Sequence, residues 1–105
     1  MRFAVAQWLA VFLLPAGAAM AQTAPDEHPA LPPGEGRELM IKTCSECHAP
    51  ERAANERLDL TDFRALMVEM QGNGLQASED DLDKIAAYLA KAFPLSLPRP
   101  AKPFP

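Results

Sequence analysis

Residues 44–48 read Cys-Ser-Glu-Cys-His, and this stretch decides what the rest of the chain folds around. Two thiols separated by two residues lie on one side of a helical turn, where each can form a thioether with one vinyl group of a haem. His48 follows directly, on the same side of the turn as Cys44, so its imidazole can reach the haem iron from one face of the ring. The pattern therefore predicts one covalent c-type haem, attached through Cys44 and Cys47, with His48 as the proximal iron ligand.

Three other uses of a C-x-x-C pair fit this sequence less well. A redox-active dithiol usually accompanies a β-α-β pattern, and no strand-rich run precedes Cys44. A structural zinc site needs a second pair of ligands, and the other histidine of the chain, His28, stands in a proline-rich stretch. A structural disulfide between Cys44 and Cys47 would leave His48 without a role.

The N-terminal residues have the pattern of a secretory signal peptide. Arg2 supplies a short basic region, residues 3–14 are apolar except for Gln7, and residues 19–21 (Ala-Met-Ala) resemble a signal-peptidase site. We expect cleavage after Ala21 and export to the periplasm, where haem captures thiols that would otherwise be oxidised. An uncleaved anchor is the alternative, but the apolar run is short for a membrane span, so we expect none in the mature chain.

Cleavage of residues 1–21 from the 105-residue chain would leave 84 residues with nine basic and 14 acidic side chains, a net charge of −5. This charge argues against nucleic acid and against an anionic membrane surface as partners. A chain of this length builds a marginal hydrophobic core and often needs a cross-link or a cofactor. Both cysteines belong to the haem motif, so we expect the covalent haem to provide the body around which the helices pack.

Apolar residues at three- and four-residue spacings predict an all-α domain over residues 34–93. A proline-rich leader, residues 22–33, precedes it and is expected to be extended. A proline-rich tail, residues 94–105, follows it and is expected to be extended, poorly packed and disordered, with docking to a partner as the alternative. His28 is expected to be solvated; a weak surface metal site with the two acidic residues before it is the other possibility.

Three main helices are expected. The first begins near residues 34–36 and runs into the haem motif; the second begins after Thr61 as N-cap and ends at Gln71; the third begins after Ser78 as N-cap and is closed by Pro94. Their buried faces are predicted at Leu39, Met40, Thr43 and Cys44, then at Phe63, Leu66, Met67 and Met70, then at Leu82, Ile85, Ala86, Leu89 and Phe93.

The segment between the haem motif and the second helix differs in character from its neighbours. Pro50 ends the turn that follows His48. Leu58 and Leu60 are expected to pack against the haem. The charged residues of the segment are expected to form a solvated face: Glu51, Arg52, Glu56, Arg57 and Asp59.

Taken together, these features resemble a class I cytochrome c over residues 34–93. In that family the helix before the haem motif crosses the last helix, where a glycine and a large residue one turn later pack on an aliphatic–aromatic pair. Gly36 and Met40 match the first pair, and Ile85 and Tyr88 match the second. The resemblance implies a small cytochrome c fold of three main helices around an attached haem.

The chain departs from that family at two places. Short periplasmic members have a "W…M…G…YL" pattern, and Phe63 stands where the tryptophan is usual. Many members also have a proline well after the haem histidine whose carbonyl accepts the imidazole N–H, whereas Pro50 follows His48 after a single residue. A different backbone acceptor is therefore expected, because a hydrogen bond to the second ring nitrogen fixes the orientation of a metal-bound histidine.

Three methionines of the mature chain could supply the sixth ligand of the iron, opposite His48. Met40 precedes the motif on its own helix and is expected to be a core residue. Met70 is the preferred distal ligand, because the glycines after it let the backbone fold around the haem edge and because it matches the methionine of the family pattern. Met67, one turn earlier, is the second choice, with core packing as its alternative role.

The resemblance implies an exported monohaem cytochrome that carries single electrons from a periplasmic dehydrogenase to another cytochrome or an oxidase. We expect no enzymatic activity, because the sequence shows no acid–base pair and no nucleophile constellation. One alternative is a dedicated haem subunit of a periplasmic molybdenum or quinoprotein oxidoreductase, with the proline-rich ends as docking arms. The other is a ligand-binding haem protein whose sixth position is open.

Overall fold

The computed structural model describes residues 10–17 and 24–105, so the predicted cleavage site after Ala21 lies outside the described residues. The described residues form three α-helices and one 3-10 helix: α1 (Arg37–Cys44), the 3-10 helix Pro50–Asn55, α2 (Leu60–Gly72) and α3 (Glu79–Ala92). They contain no β-strand, which confirms the predicted all-α class for this part of the chain. Within the same ranges, no helix combines the length and apolar character needed to cross a bilayer.

In α3 the sequence signals and the structure agree most closely. The Ser78 hydroxyl accepts a hydrogen bond of 3.1 Å from the backbone N–H of Asp81, and acidic residues fill the first turn. Both features stabilise the positive end of the helix dipole. The helix ends at Ala92, shortly before Pro94. The whole predicted stripe is buried, and Tyr88 is buried beside it: Leu82, Ile85, Ala86, Leu89 and Phe93.

The start of α2 differs from the prediction. Thr61 is not the N-cap; the helix begins at Leu60, and the Asp59 carboxylate accepts the backbone N–H of Asp62 at 2.8 Å. An aspartate at this position adds a negative charge to the cap, which the helix dipole favours. Asp59 therefore caps the helix in place of Thr61. The helix ends at Gly72, one residue beyond the predicted end.

The buried face of α2 packs against α3. Phe63 and Met67 are buried in the common core, and Leu66 and Met70 are half-buried at its edge. Phe63, which takes the place of the tryptophan usual in the resembled family, is among the fully buried side chains. The predicted apolar face is therefore the face that holds the two helices together.

The crossing of α1 and α3 occurs at Gly36, as predicted. Gly36 has φ +89°, and a Cβ atom placed there would lie 3.0 Å from the backbone oxygen of Lys84 and 3.0 Å from the Cβ of Tyr88. The left-handed backbone and the close approach both favour glycine. Met40, one turn along α1, is completely buried, which confirms its predicted place in the core.

Both proline-rich segments pack against the helices. Leu31 of the leader is buried in the core, and the Tyr88 hydroxyl donates a hydrogen bond of 2.7 Å to the Pro32 carbonyl. In the tail, the Phe104 N–H donates to Asn55 Oδ1 at 2.8 Å, and the Asn55 amide donates to the Phe104 carbonyl at 2.9 Å. The tail is thus bonded to the domain at these points, although none of residues 94–105 is buried and most are exposed. Residues 24–33 and 94–105 contain no α-helix, as their prolines predicted.

Arg57 was predicted to belong to a solvated face, and this prediction was wrong. Arg57 is only 8% exposed, and its guanidinium lies over the Phe93 ring, 5.4 Å from the centroid. A buried guanidinium must have its N–H groups paired, since it cannot lose its charge. It donates hydrogen bonds of 2.6–3.1 Å to four backbone carbonyls, those of Ala54, Glu56, Leu97 and Pro98.

Candidate haem-binding site

A cavity of about 420 Å³ lies between the end of α1, the 3-10 helix and α2. This volume is in the range of sites that hold small molecules and cofactors. The cavity is lined by every residue that the sequence predicted to bind haem or its iron: Cys44, Cys47, His48, Met67 and Met70. We call two parts of its lining the His48 wall (Cys47, His48, Arg52, Ala53 and Glu56) and the α2 wall (Leu66, Met67 and Met70).

The predicted attachment residues, Cys44 and Cys47, lie where α1 ends and a turn begins. The backbone N–H groups of Cys47 and His48 both donate to the Cys44 carbonyl, at 3.4 Å each, so the motif stays coiled after the helix ends. Both cysteines are free thiols. Burial, with a smaller effect of the Cys47 charge, raises the pKa of the Cys44 thiol to about 11. A raised pKa makes Cys44 a poor attacking thiolate.

The His48 ring is held by the backbone next to it. Its Nδ1 lies 3.0 Å from the Ala49 carbonyl oxygen, a contact that assigns the ring proton to Nδ1 and leaves the lone pair of Nε2 for a metal. Ala49 is therefore the acceptor that the sequence could not name. Ala49 has an extended backbone (φ −61°, ψ 131°), as a residue before proline should, so Pro50 helps to set the direction of this carbonyl.

The two candidate distal methionines differ in how they meet the cavity. Met67 is 4% exposed and belongs to the core between α2 and α3, whereas Met70 is half-buried at the end of α2. The Met70 carbonyl accepts hydrogen bonds from the N–H groups of Asn73 and Leu75, at 3.0 and 2.9 Å. Gly74 has φ +105°, so the backbone folds around this end of the helix through a conformation that favours glycine. Met70 is thus the methionine with less of its side chain committed to the core.

The rest of the lining was not predicted in full. Leu58 and Leu60 do not line the cavity, and Leu60 is exposed. The apolar part of the lining consists of residues for which the sequence predicted helix packing or no particular role: Ala53, Leu66, Leu75 and Leu89. The polar part consists of Arg52, Glu56 and Asn73, for which the sequence carries no signal, because a charged residue after a haem motif is usually solvated.

His28 is half-buried, which corrects the expectation that it is solvated. Its Nδ1 pairs with the Glu51 carboxylate at the start of the 3-10 helix, and its backbone N–H donates to Asp26 at 2.9 Å. Burial alone would raise the pKa of Glu51, but the hydrogen bond and the charge of His28, with a backbone hydrogen bond, hold it below its ordinary value of 4.5. Within residues 10–17 and 24–105, no group of three or more His, Cys, Asp or Glu side chains could hold a metal ion, so the alternative metal site at His28 has no support.

The donor set at the cavity fits a covalent haem. Imidazole nitrogen and thioether sulfur are both axial ligands of haem iron, and two thiols stand beside them for attachment. The leucines of the lining provide an apolar surface for the macrocycle. Comparison with protein-family models, with curated proteins and with solved structures finds no match to this chain.

Proposed function

We propose that this chain is an exported monohaem c-type cytochrome that carries single electrons in the periplasm. The observation that supports the proposal most directly is that two thiols, one backbone-oriented imidazole and two thioether sulfurs line one cavity. The haem, when bound, supplies a one-electron redox centre. The chain's own task is then to hold that group, orient its ligands and keep water from it.

Each residue has a defined role in this proposal. Cys44 and Cys47 hold the haem through thioethers, and His48 is the proximal ligand with its ring fixed by the Ala49 carbonyl. Met70 is the distal ligand, with Met67 as the second choice. Two closed axial positions suit an electron carrier, and a His/Met pair raises the reduction potential.

The packing of the chain's ends helps to rank the alternatives. One alternative is a dedicated haem subunit of a larger oxidoreductase, with the proline-rich leader and tail as docking arms. In the structure, however, the leader and the tail are both hydrogen-bonded to the chain's own domain. A ligand-binding haem protein needs an open sixth position, whereas two methionines line this cavity. We therefore propose a free carrier whose partners are a dehydrogenase donor and a cytochrome or oxidase acceptor, with no nucleic acid and no membrane span.

Expression together with a haem-attachment system tests the proposal. We expect a denaturing gel stained for haem to show the cofactor still bound to the chain, because thioether bonds survive unfolding. The oxidised protein should show the weak red-edge absorption band of methionine–iron ligation, and the reduced protein should not bind carbon monoxide readily. A chain that carries no covalent haem would contradict the proposal, and ready carbon monoxide binding would favour the ligand-binding alternative.

A further inference from the structure

The 3-10 helix Pro50–Asn55 contributes Arg52 and Ala53 to the His48 wall, and Pro50 and Ala54 are its buried residues. It is six residues long, and 3-10 helices have poorer hydrogen-bond geometry than α-helices. Ala49, whose carbonyl orients the His48 ring, is the residue immediately before it. Any movement of this helix would therefore move both the cavity wall and the acceptor of the His48 hydrogen bond.

The tail holds the far end of this helix. Asn55, its last residue, makes the two hydrogen bonds with Phe104, and the Arg99 guanidinium donates to the Asn55 carbonyl at 3.3 Å. Arg57 joins the same two segments through one side chain. Its Nη1 donates to the carbonyls of Ala54 and Glu56, while its Nε and Nη2 donate to the tail carbonyls of Leu97 and Pro98.

Arg57 is suited to this task by its chemistry. Its planar guanidinium presents five N–H donors in a fixed arrangement, so it can join four carbonyls at once, whereas a lysine ammonium could not reproduce that geometry. The side chain is buried and stacks on Phe93, so water does not compete for these donors. Arg57 does not itself line the cavity, so any effect it has on the haem must pass through the residues it contacts, which include Ala54 of the 3-10 helix and Glu56 of the His48 wall.

We propose that Arg57 is a positioning residue of the haem site: by clamping the tail to the 3-10 helix, it fixes the Ala49 carbonyl and through it the His48 ring. This inference rests on the proposed function, since it concerns the proximal ligand of a bound haem. The proline-rich tail then helps to position the haem ligand His48 and does not act as an arm for docking to another protein. Release of the clamp loosens the His48 wall while the distal side, on α2, keeps its own packing.

The test uses the full chain with its covalent haem and compares Arg57→Gln with Arg64→Gln. Arg64 is a matched control, because it is exposed and makes a single hydrogen bond, of 3.2 Å to Asp83, away from the cavity. The readouts are the proton NMR signal of His48 Nδ1–H, its rate of exchange with solvent, and the reduction potential. In Arg57→Gln we expect exchange to accelerate by about tenfold or more, because several charge-assisted hydrogen bonds that resist local opening are lost. The signal and the potential should shift as well, and Arg64→Gln should change none of the three.

A lower melting temperature with an unchanged His48 signal, exchange rate and potential would overturn the inference and leave Arg57 a purely structural residue. If Arg57→Gln does not accumulate as folded protein, Arg57→Lys decides the matter, because it keeps the charge and the aliphatic stem but cannot join four carbonyls at once. Faster His48 Nδ1–H exchange in Arg57→Lys supports the inference, and an unchanged rate overturns it. An unmodified chain without haem would overturn the proposed function and this inference together, whereas a haem-loaded chain insensitive to both substitutions would overturn this inference alone.

Discussion

The α2 wall and the His48 wall of the cavity are held in place by different kinds of contact. The α2 wall belongs to a regular helix whose apolar face packs on α3. The His48 wall consists of a turn and a short 3-10 helix, which His28 of the leader holds at one end and the tail holds at the other. The first is secured by many weak contacts and the second by a few directional ones. We therefore expect the α2 wall to respond to changes of volume and the His48 wall to changes of charge and hydrogen bonding.

Loss of Cys44, or of Cys47 or His48 on the His48 wall, should have the largest effect. Cys44→Ala or Cys47→Ala should leave one thioether or no haem, and accumulation should fall, because the proposed covalent haem would form part of so small a core. His48→Ala should be at least as damaging. Haem staining of denaturing gels and circular dichroism measure both effects. His28→Ala is the control and should retain covalent haem; a stable, fully folded protein without haem would contradict the prediction.

The two methionines of the α2 wall should separate ligation from packing. Met70→Ala should abolish the methionine–iron band, lower the reduction potential and let carbon monoxide bind, while the chain stays folded. Met67→Ala should keep the band and lower the free energy of unfolding by about 2–5 kcal/mol, since a buried methionine leaves a cavity. Visible spectra and thermal melts of both variants distinguish the ligand from the packing residue. If Met67→Ala abolishes the methionine–iron band and Met70→Ala keeps it, Met67 is the ligand.

Gly36 tests the crossing of α1 and α3, on which the position of the attachment motif depends. Gly36→Val should lower the free energy of unfolding by about 1–3 kcal/mol from overpacking, with further strain from the positive φ. Gly72→Val is the matched control, because a Cβ at Gly72 would meet nothing within 4 Å. Thermal unfolding followed by circular dichroism compares the two. An unchanged melting temperature in Gly36→Val would mean that the crossing is not close.

The smallest effect should be a pH dependence at the start of the 3-10 helix, next to the His48 wall. The pKa of Glu51 is below its ordinary value of 4.5 in the folded chain, so its pairing with His28 contributes stability above pH 4.5. That contribution is lost as the pH falls through the lowered pKa of the folded state. Glu51→Gln should therefore reduce stability by less than about 1 kcal/mol near neutral pH and weaken the acid dependence. The exposed Glu69 of α2 supplies the control, Glu69→Gln; equal acid dependence in the two variants would contradict the assignment.

The two walls also differ in how far the sequence predicted them. The face of α2, the cap and stripe of α3 and the Gly36 crossing all follow from local spacing and from residue types with strong preferences. The Ala49 acceptor and the tail contacts of Arg57 were missed, because a backbone carbonyl has no residue-specific signal and an arginine is usually exposed. The prolines of the leader and the tail correctly predicted the absence of α-helix. They carry no information on which residues these segments contact.

The reciprocal pair between Asn55 and Phe104 has a consequence for the order of events during folding. These residues are 49 positions apart, and Arg57 is 41 positions from Pro98, so both contacts close long loops. Synthesis proceeds from the N-terminus, and distant contacts form slowly, whereas the turn at residues 44–48 is local. We therefore expect the thiols and imidazole to be arranged while the tail is still free. The His48 wall would then close last, which under the proposed function leaves time for haem to enter.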